Sequence, residues 1–214
     1  MDATGRGPEP KQARARATRG QLLAAATRCF AAQGYRGATL AAIAREAGVT
    51  DAGLLYHFPT KAALVAAVLE EESRVNGERL AELYGEGGLG FVRALGSWGE
   101  LMEADPEMTS LRVLLSAEHL LDDSDVNRFF RRGYEHNVAG IVQAIDEGRA
   151  RGEVRDDVDP EAEARLLIAV MDGARLQHFL TDGRASMAVQ IRAYVHQLVD
   201  RIAVPSAARP VAER

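Results

Sequence analysis

The sequence predicts an all-α fold, a three-helix head of helix-turn-helix type followed by a larger helical body. Three observations carry that expectation. The 214 residues are 47% hydrophobic but only 6% aromatic, and they favour Ala, Leu, Glu and Arg, the strong helix formers. No window alternates apolar and polar residues at the period of a strand. Charge is also divided unevenly along the chain. Residues 1–61 hold nine Lys and Arg against four Asp and Glu, a net +5, whereas residues 62–214 hold 17 against 27, a net −10. A basic N-terminal segment on an acidic chain is the electrostatic footprint of a nucleic-acid reader.

The head is organised around residues 39–61, TLAAIAREAGVTDAGLLYHFPTK. Thr39 suits an N-cap, and Leu40, Ile43, Ala44 and Ala47 form one apolar stripe of a short helix. Gly48 can take the positive φ that ends a helix and turns the chain. Val49 plugs the corner, and Thr50 caps a second helix running to His57. Ala44 is small where the two axes approach, Leu54 and Phe58 close the core beneath, and Pro59 stops the helix. This order of residues is the helix-turn-helix signature. Ahead of it, Gly5, Gly7, Pro8 and Pro10 among Lys11, Arg14 and Arg16 predict a disordered basic arm over 1–17. A first helix is expected over 18–33, ended by Gly34.

Beyond the head, a connecting helix is expected over 61–83, with Leu64, Val68, Leu69, Val75, Leu80 and Leu83 facing inward. The stretch GEGGLG, 85–90, matches G-x-G-x-x-G letter for letter. It lacks the preceding strand and βαβ unit which that fingerprint needs, so it reads as a helix–helix linker. Further helices are expected over 89–104, from Pro106 to about 120, over 125–151, from Pro160 to 181, and over 185–204. The tail 205–214 is expected to be disordered. The domain plan is thus 18–60 for the head and 61–204 for the body.

From Gln21 to Val68 the chain resembles the DNA-binding domain of TetR/AcrR-type bacterial transcriptional repressors, on FAAQGYRGATL, IAREAGV and above all LLYHFPTKAAL. Most members carry an aromatic residue where Leu55 stands, and many a basic or small one where Asp51 stands. More weakly, the body with DPEAEARLLIAVMDGARLQ is similar to the ligand-sensing, choline-operon-repressor-like C-terminal domains of that family. The resemblance implies a homodimer that binds a pseudo-palindromic double-stranded operator and is released by a small-molecule effector. It also implies phosphate contacts at Thr39, Thr50, Tyr56, His57 and Lys61. Base readers would then be Asp51, Ala52 and Leu55, since Asp accepts from cytosine N4 and Ala or Leu packs on a thymine methyl.

Two further sites are expected in the body. Ile191, Val195, Leu198 and Ile202 repeat at four, three and four. Leu167, Met171 and Ala174 form a matching stripe on the preceding helix, and the two together suggest a four-helix dimer seam. Trp98, Met102, Phe130, Tyr134 and Met171, with His119, Arg175 and His178 as polar fixtures, suggest an effector cavity.

Rival chemistries find little support. Gly96-Ser97-Trp98-Gly99 misses the G-x-S-x-G nucleophile elbow. The five histidines have no zinc spacing, and the lone Cys29 can form neither an intrachain disulfide nor a metal knuckle. No enzymatic activity, cofactor or metal is therefore expected. Without a secretory signal or an apolar run long enough to span a membrane, the expected compartment is the cytoplasm. The competing reading is a helical ligand-binding or interaction protein with a vestigial helix-turn-helix, since Asp51 would repel phosphate.

Overall fold

The computed structural model describes residues 11–83 and 87–205, except the side chains of 11, 12 and 80–83. Residues 1–10 of the expected arm, 84–86 of the linker and 206–214 of the expected tail lie outside the described residues, as do the side chains of Leu80 and Leu83. Ten α-helices follow in order among the described residues: α1 (Lys11–Gly37), α2 (Leu40–Glu46), α3 (Asp51–His57), α4 (Lys61–Leu83), α5 (Gly88–Ala94), α6 (Trp98–Ala104), α7 (Pro106–Glu118), α8 (Asp125–Ala150), α9 (Pro160–Leu180) and α10 (Met187–Ile202). A 3-10 turn, Leu95–Ser97, joins α5 to α6. The only pairing of extended backbone among these residues is an isolated antiparallel bridge between Val154 and Ala203.

Lys11–Ala17, expected in the disordered arm, form the first turns of α1 instead. Alternating Ala and Arg are good helix formers, and they extend a helix already nucleated over Leu22–Phe30. Gly34 breaks α1 with φ 69° and ψ 174°, and Tyr35–Gly37 add one more turn.

The apolar residues form two cores. The head core joins Leu22, Ala26 and Phe30 of α1 with Ile43, Ala44, Leu54, Phe58, Leu64 and Val68, and it takes in Leu111 and Leu115 of α7 and Val126 of α8. The body core is built from α5, α6, the second half of α8, α9 and α10. Each fully buried Leu, Ile or Phe contributes about 1.5–3 kcal/mol, so α7 is bonded to the head by its inner face.

Small residues set the close approaches. A Cβ on Gly99 would lie 2.5 Å from Ala188 Cα, and one on Gly96 would lie 3.6 Å from Val195 Cγ1. The Gly96–Gly99 pair therefore lets α6 cross α10 at backbone contact. Gly87 and Gly88 both have positive φ, and carboxylates from the α8 end cap α5: Gly88 N–H donates to Glu147 (3.2 Å) and Leu89 N–H to Glu153 (3.1 Å). A phosphate would meet two carboxylates there, and Gly88–Gly90, expected in the linker, form the first turn of α5.

Candidate nucleic-acid interface

The reading unit is assembled by caps and one turn. Thr39 Oγ1 accepts from Ala42 N–H and Thr50 Oγ1 from Gly53 N–H, both at 3.1 Å. Gly48 turns the chain at φ 69°, while Val49 N–H donates to Ala44 carbonyl at 2.9 Å. Ile43, Ala44 and Leu54 are fully buried and Phe58 nearly so, which fixes the face of α3 that points outward. Arg28 pairs with Glu46 at 2.9 Å and ties α1 to α2.

Most of the expected residues are exposed. Thr39, Thr50, Asp51 and Ala52 are exposed, and Leu55 and Tyr56 reach 46% and 84% exposure. His57 is half-buried and packs edge-on against Tyr56 at 5.4 Å. Each capping hydroxyl uses its oxygen as acceptor and keeps its proton free to donate to a phosphate.

Lys61 is more engaged than a free phosphate ligand. Its Nζ donates to Ala38 carbonyl (2.8 Å) and to Arg36 carbonyl (3.4 Å), and it lies 4.5 Å from the Tyr35 ring centroid. It clamps the end of α1 to the start of α4. Arg36 is exposed beside this clamp, three residues before Thr39. Its position in a Gly-flanked link gave no periodic signal.

Trp98 and Met102 line a cleft of about 310 Å³ between α1, α4, α6 and α7. Met171 lies in the body core. Phe130 carries the Arg112 guanidinium 5.6 Å above its ring, and Tyr134 sits at the surface with its hydroxyl 3.2 Å from Arg165. His119 packs edge-on against Tyr35 at 4.9 Å while Nδ1 donates to Asp122 at 2.7 Å. The Ser124 hydroxyl, chiefly, and His119 hold the Asp122 carboxyl below its ordinary pKa. Arg175 is paired with Asp172 at 3.5 Å, and burial lowers its pKa. His178 Nδ1 donates to Ala185 carbonyl at 3.1 Å. The other six of the eight expected effector residues are not in the lining of that cleft.

The dimer seam needs a larger correction. Leu167, Met171, Ala174, Ile191, Val195, Leu198 and Ile202 are all 8% exposed or less and form the body core. The two stripes face each other and α5, α6 and α8 within one chain, so they offer no surface to a second. The outward faces of the same helices carry Leu166, Leu176 and Leu180 on α9 and Val189 on α10, each at least half exposed.

Among the described residues no group of three or more His, Cys, Asp or Glu could hold a metal ion, and no single helix is long and apolar enough to cross a membrane.

Comparison with known proteins agrees with this architecture. Residues 22–68 match "Bacterial regulatory proteins, tetR family", and residues 99–204 match "BetI-type transcriptional repressor, C-terminal". The chain is 28% identical over 200 residues to the A-factor receptor protein of Streptomyces griseus, covering 91% of this chain and 67% of that one. It is 30% identical over 163 residues to the transcriptional repressor AcnR of Corynebacterium efficiens, covering 73% and 79%. A regulator from Saccharomonospora viridis, solved in complex with choline, superposes with a TM-score of 0.72 at 24% identity over 88% of this chain and 99% of that one, a likeness of fold alone. With its capped reading helix on a three-helix head and a helical body behind, this chain belongs to the tetR family of bacterial transcriptional regulators.

Proposed function

We propose that this protein is a cytoplasmic, homodimeric repressor that holds a pseudo-palindromic operator until a small molecule releases it. The observation that carries this reading is the outer face of α3. Leu55 and Tyr56 stand in solvent on a helix locked from beneath by Leu54 and Phe58, an arrangement a groove-reading helix needs. Thr39, Thr50, Tyr56, His57, Lys61 and the added Arg36 serve as phosphate contacts, and Asp51, Ala52 and Leu55 as base readers. A receptor among the similar proteins supports an effector for this one.

The dimer forms through the outward stripe of α9 and α10. Leu166, Ala169, Gly173, Leu176 and Leu180 lie on one side of α9, beside Val189 and Ala193 of α10, and the large apolar members are exposed. An isologous pairing there would set two α3 helices about 34–36 Å apart on successive major grooves.

Fluorescence anisotropy with DNA flanking the protein's own gene tests the reading. Specific binding in competition with random DNA is expected, with a strong decline as salt rises. Equal affinity for both DNAs would favour the vestigial helix-turn-helix instead.

A further inference from the structure

Of the histidines among the described residues only His119 is buried, at 8% exposed. It follows the last residue of α7. Its Nδ1 lies 2.7 Å from one Asp122 carboxylate oxygen and 3.1 Å from the Ser124 hydroxyl oxygen. Ser124 donates its own proton to the other Asp122 oxygen at 2.6 Å and accepts from Asn127 N–H. Neither neighbour can donate to Nδ1, so Nδ1 carries a hydrogen and the ring titrates at Nε2.

Nε2 is enclosed and meets no hydrogen-bond partner among the described residues. With the ring neutral it is a bare acceptor. Protonation turns it into a charged donor that needs an acceptor or water, and burial penalises that form more heavily. The titratable groups about the ring are Asp122 in the loop, Glu118 on α7, the Tyr35 phenol on α1 and, beyond the Tyr35 ring, Lys61 on α4. Burial, and then Asp122, raise the phenol pKa, so Tyr35 stays neutral. From α8 come the uncharged Ser124 cap and Asn127, while Arg128 is held by Asp123 and Asp125. Asp122 is near in sequence and moves with the ring. It therefore favours the imidazolium whether the ring is packed on Tyr35 or released from it.

The Tyr35 side of the contact is the part that can yield. His119 N–H donates to Leu115 carbonyl at 3.1 Å, and its own carbonyl accepts from Asn127 at 2.7 Å. The corner between α7 and α8 is thereby pinned. Tyr35 follows the Gly34 kink, with its ring 4.9 Å from the imidazole and 4.5 Å from Lys61 Nζ. Thr39, the cap of α2, comes shortly after.

We propose that His119 is a proton-operated latch on the reading head. Neutral, it packs on Tyr35 and steadies the corner that carries Lys61 and Thr39. A proton at Nε2 draws the ring toward water, frees Tyr35 and lowers operator affinity. The effect on DNA rests on the repressor reading above; the latch itself does not.

Hydrogen exchange at the Tyr35 amide, which donates to Glu118, reads the latch in the full-length protein without DNA. Protection, corrected for the intrinsic pH dependence of exchange, should fall about three- to tenfold between about pH 7.5 and pH 5.5, where imidazoles titrate. One linked proton allows at most about tenfold per pH unit. His119→Asn keeps a donor at the Nδ1 position and has no Nε2, so its protection should stay constant. His119→Gln takes its place if a thermal melt at neutral pH shows the Asn variant unfolded. Constant Tyr35 protection in the wild type overturns the latch, as does an equal loss in the non-titrating variant. Operator anisotropy over the same pH range then tests the effect on DNA. Every other titrating group, His57 at the DNA face included, is shared by the two proteins and cancels in their ratio. A wild-type affinity loss of about three- to tenfold relative to the variant supports the coupling, whereas equal pH dependence overturns it. A wild type that binds no operator at neutral pH counts against the repressor reading, and the exchange result still decides the latch.

Discussion

Glu118, the last residue of α7, accepts the backbone N–H of Tyr35 at 2.9 Å across the kink in α1. The contact depends on Gly34, whose φ of 69° disfavours a side chain and whose added Cβ would lie 2.7 Å from Glu118 Oε1. The kink of α1 and the end of α7 are thus joined by a carboxylate seated in the space a glycine leaves. Glu118→Ala orphans a part-buried N–H and should cost about 1–2 kcal/mol in a thermal melt, while Glu118→Gln keeps an acceptor and much of the stability. Equal melting of both variants would show that the bond contributes nothing.

Lys61 combines a structural and an electrostatic role. Lys61→Ala should lose about 1 kcal/mol of stability with the Ala38 hydrogen bond. It should also flatten the log–log salt dependence of operator binding by about 0.9. An unchanged salt slope would make Lys61 a clamp for the α1–α4 corner and no phosphate ligand.

The two faces of α9 and α10 separate under mutation. Leu180→Asp, on a side chain 74% exposed, should give a folded monomer in sedimentation and lose operator binding. Val195→Asp places an unpaired carboxylate at a site 3% exposed and should unfold the body, a loss of several kcal/mol. A folded dimer from Leu180→Asp would move the interface elsewhere.

Gly99→Ala probes the α6–α10 crossing. Its methyl would meet Ala188 backbone at 2.5 Å, so the helices must separate. A destabilisation of about 1–3 kcal/mol is expected, whereas the same change on an open helix face such as Gly140, which has no neighbour within 4 Å, should stabilise by about 0.5–1 kcal/mol.

Acid should loosen the start of α10. Burial opposes ionisation of Glu103, but donation by the Ser186 hydroxyl and by the Ala188 and Met187 N–H groups, together with His178, outweighs it and holds its pKa below the ordinary value. A depressed carboxylate stabilises the fold above its unfolded pKa, and that contribution is lost as pH falls through the folded value. The window therefore lies below about pH 4.3. Glu103→Gln should flatten the stability profile in that window, and an unaltered acid limb would remove Glu103 as its source.

The sequence by itself determined the reading head. Thr39, Gly48, Thr50, Leu54 and Phe58 act through caps, a turn and a three- to four-residue period, all interactions between near neighbours, and each took its expected place. Helix starts in the body were similarly legible from Pro106 and Pro160, each at the first position of its helix, whereas the helix expected over 89–104 is broken by the 3-10 turn Leu95–Ser97. What only the tertiary structure decided was which neighbour each apolar stripe meets. Ile191, Val195 and Leu198 make a stripe whether they face a second chain or their own α9, and periodicity is identical in the two cases. The body core claims them because α9 and α10 pack together and against α5, α6 and α8, leaving Leu166, Leu176 and Leu180 outside. The cleft is likewise a property of two cores meeting. Trp98 and Leu23 lie far apart in sequence, and no local pattern says that α7 belongs by its packing to the head.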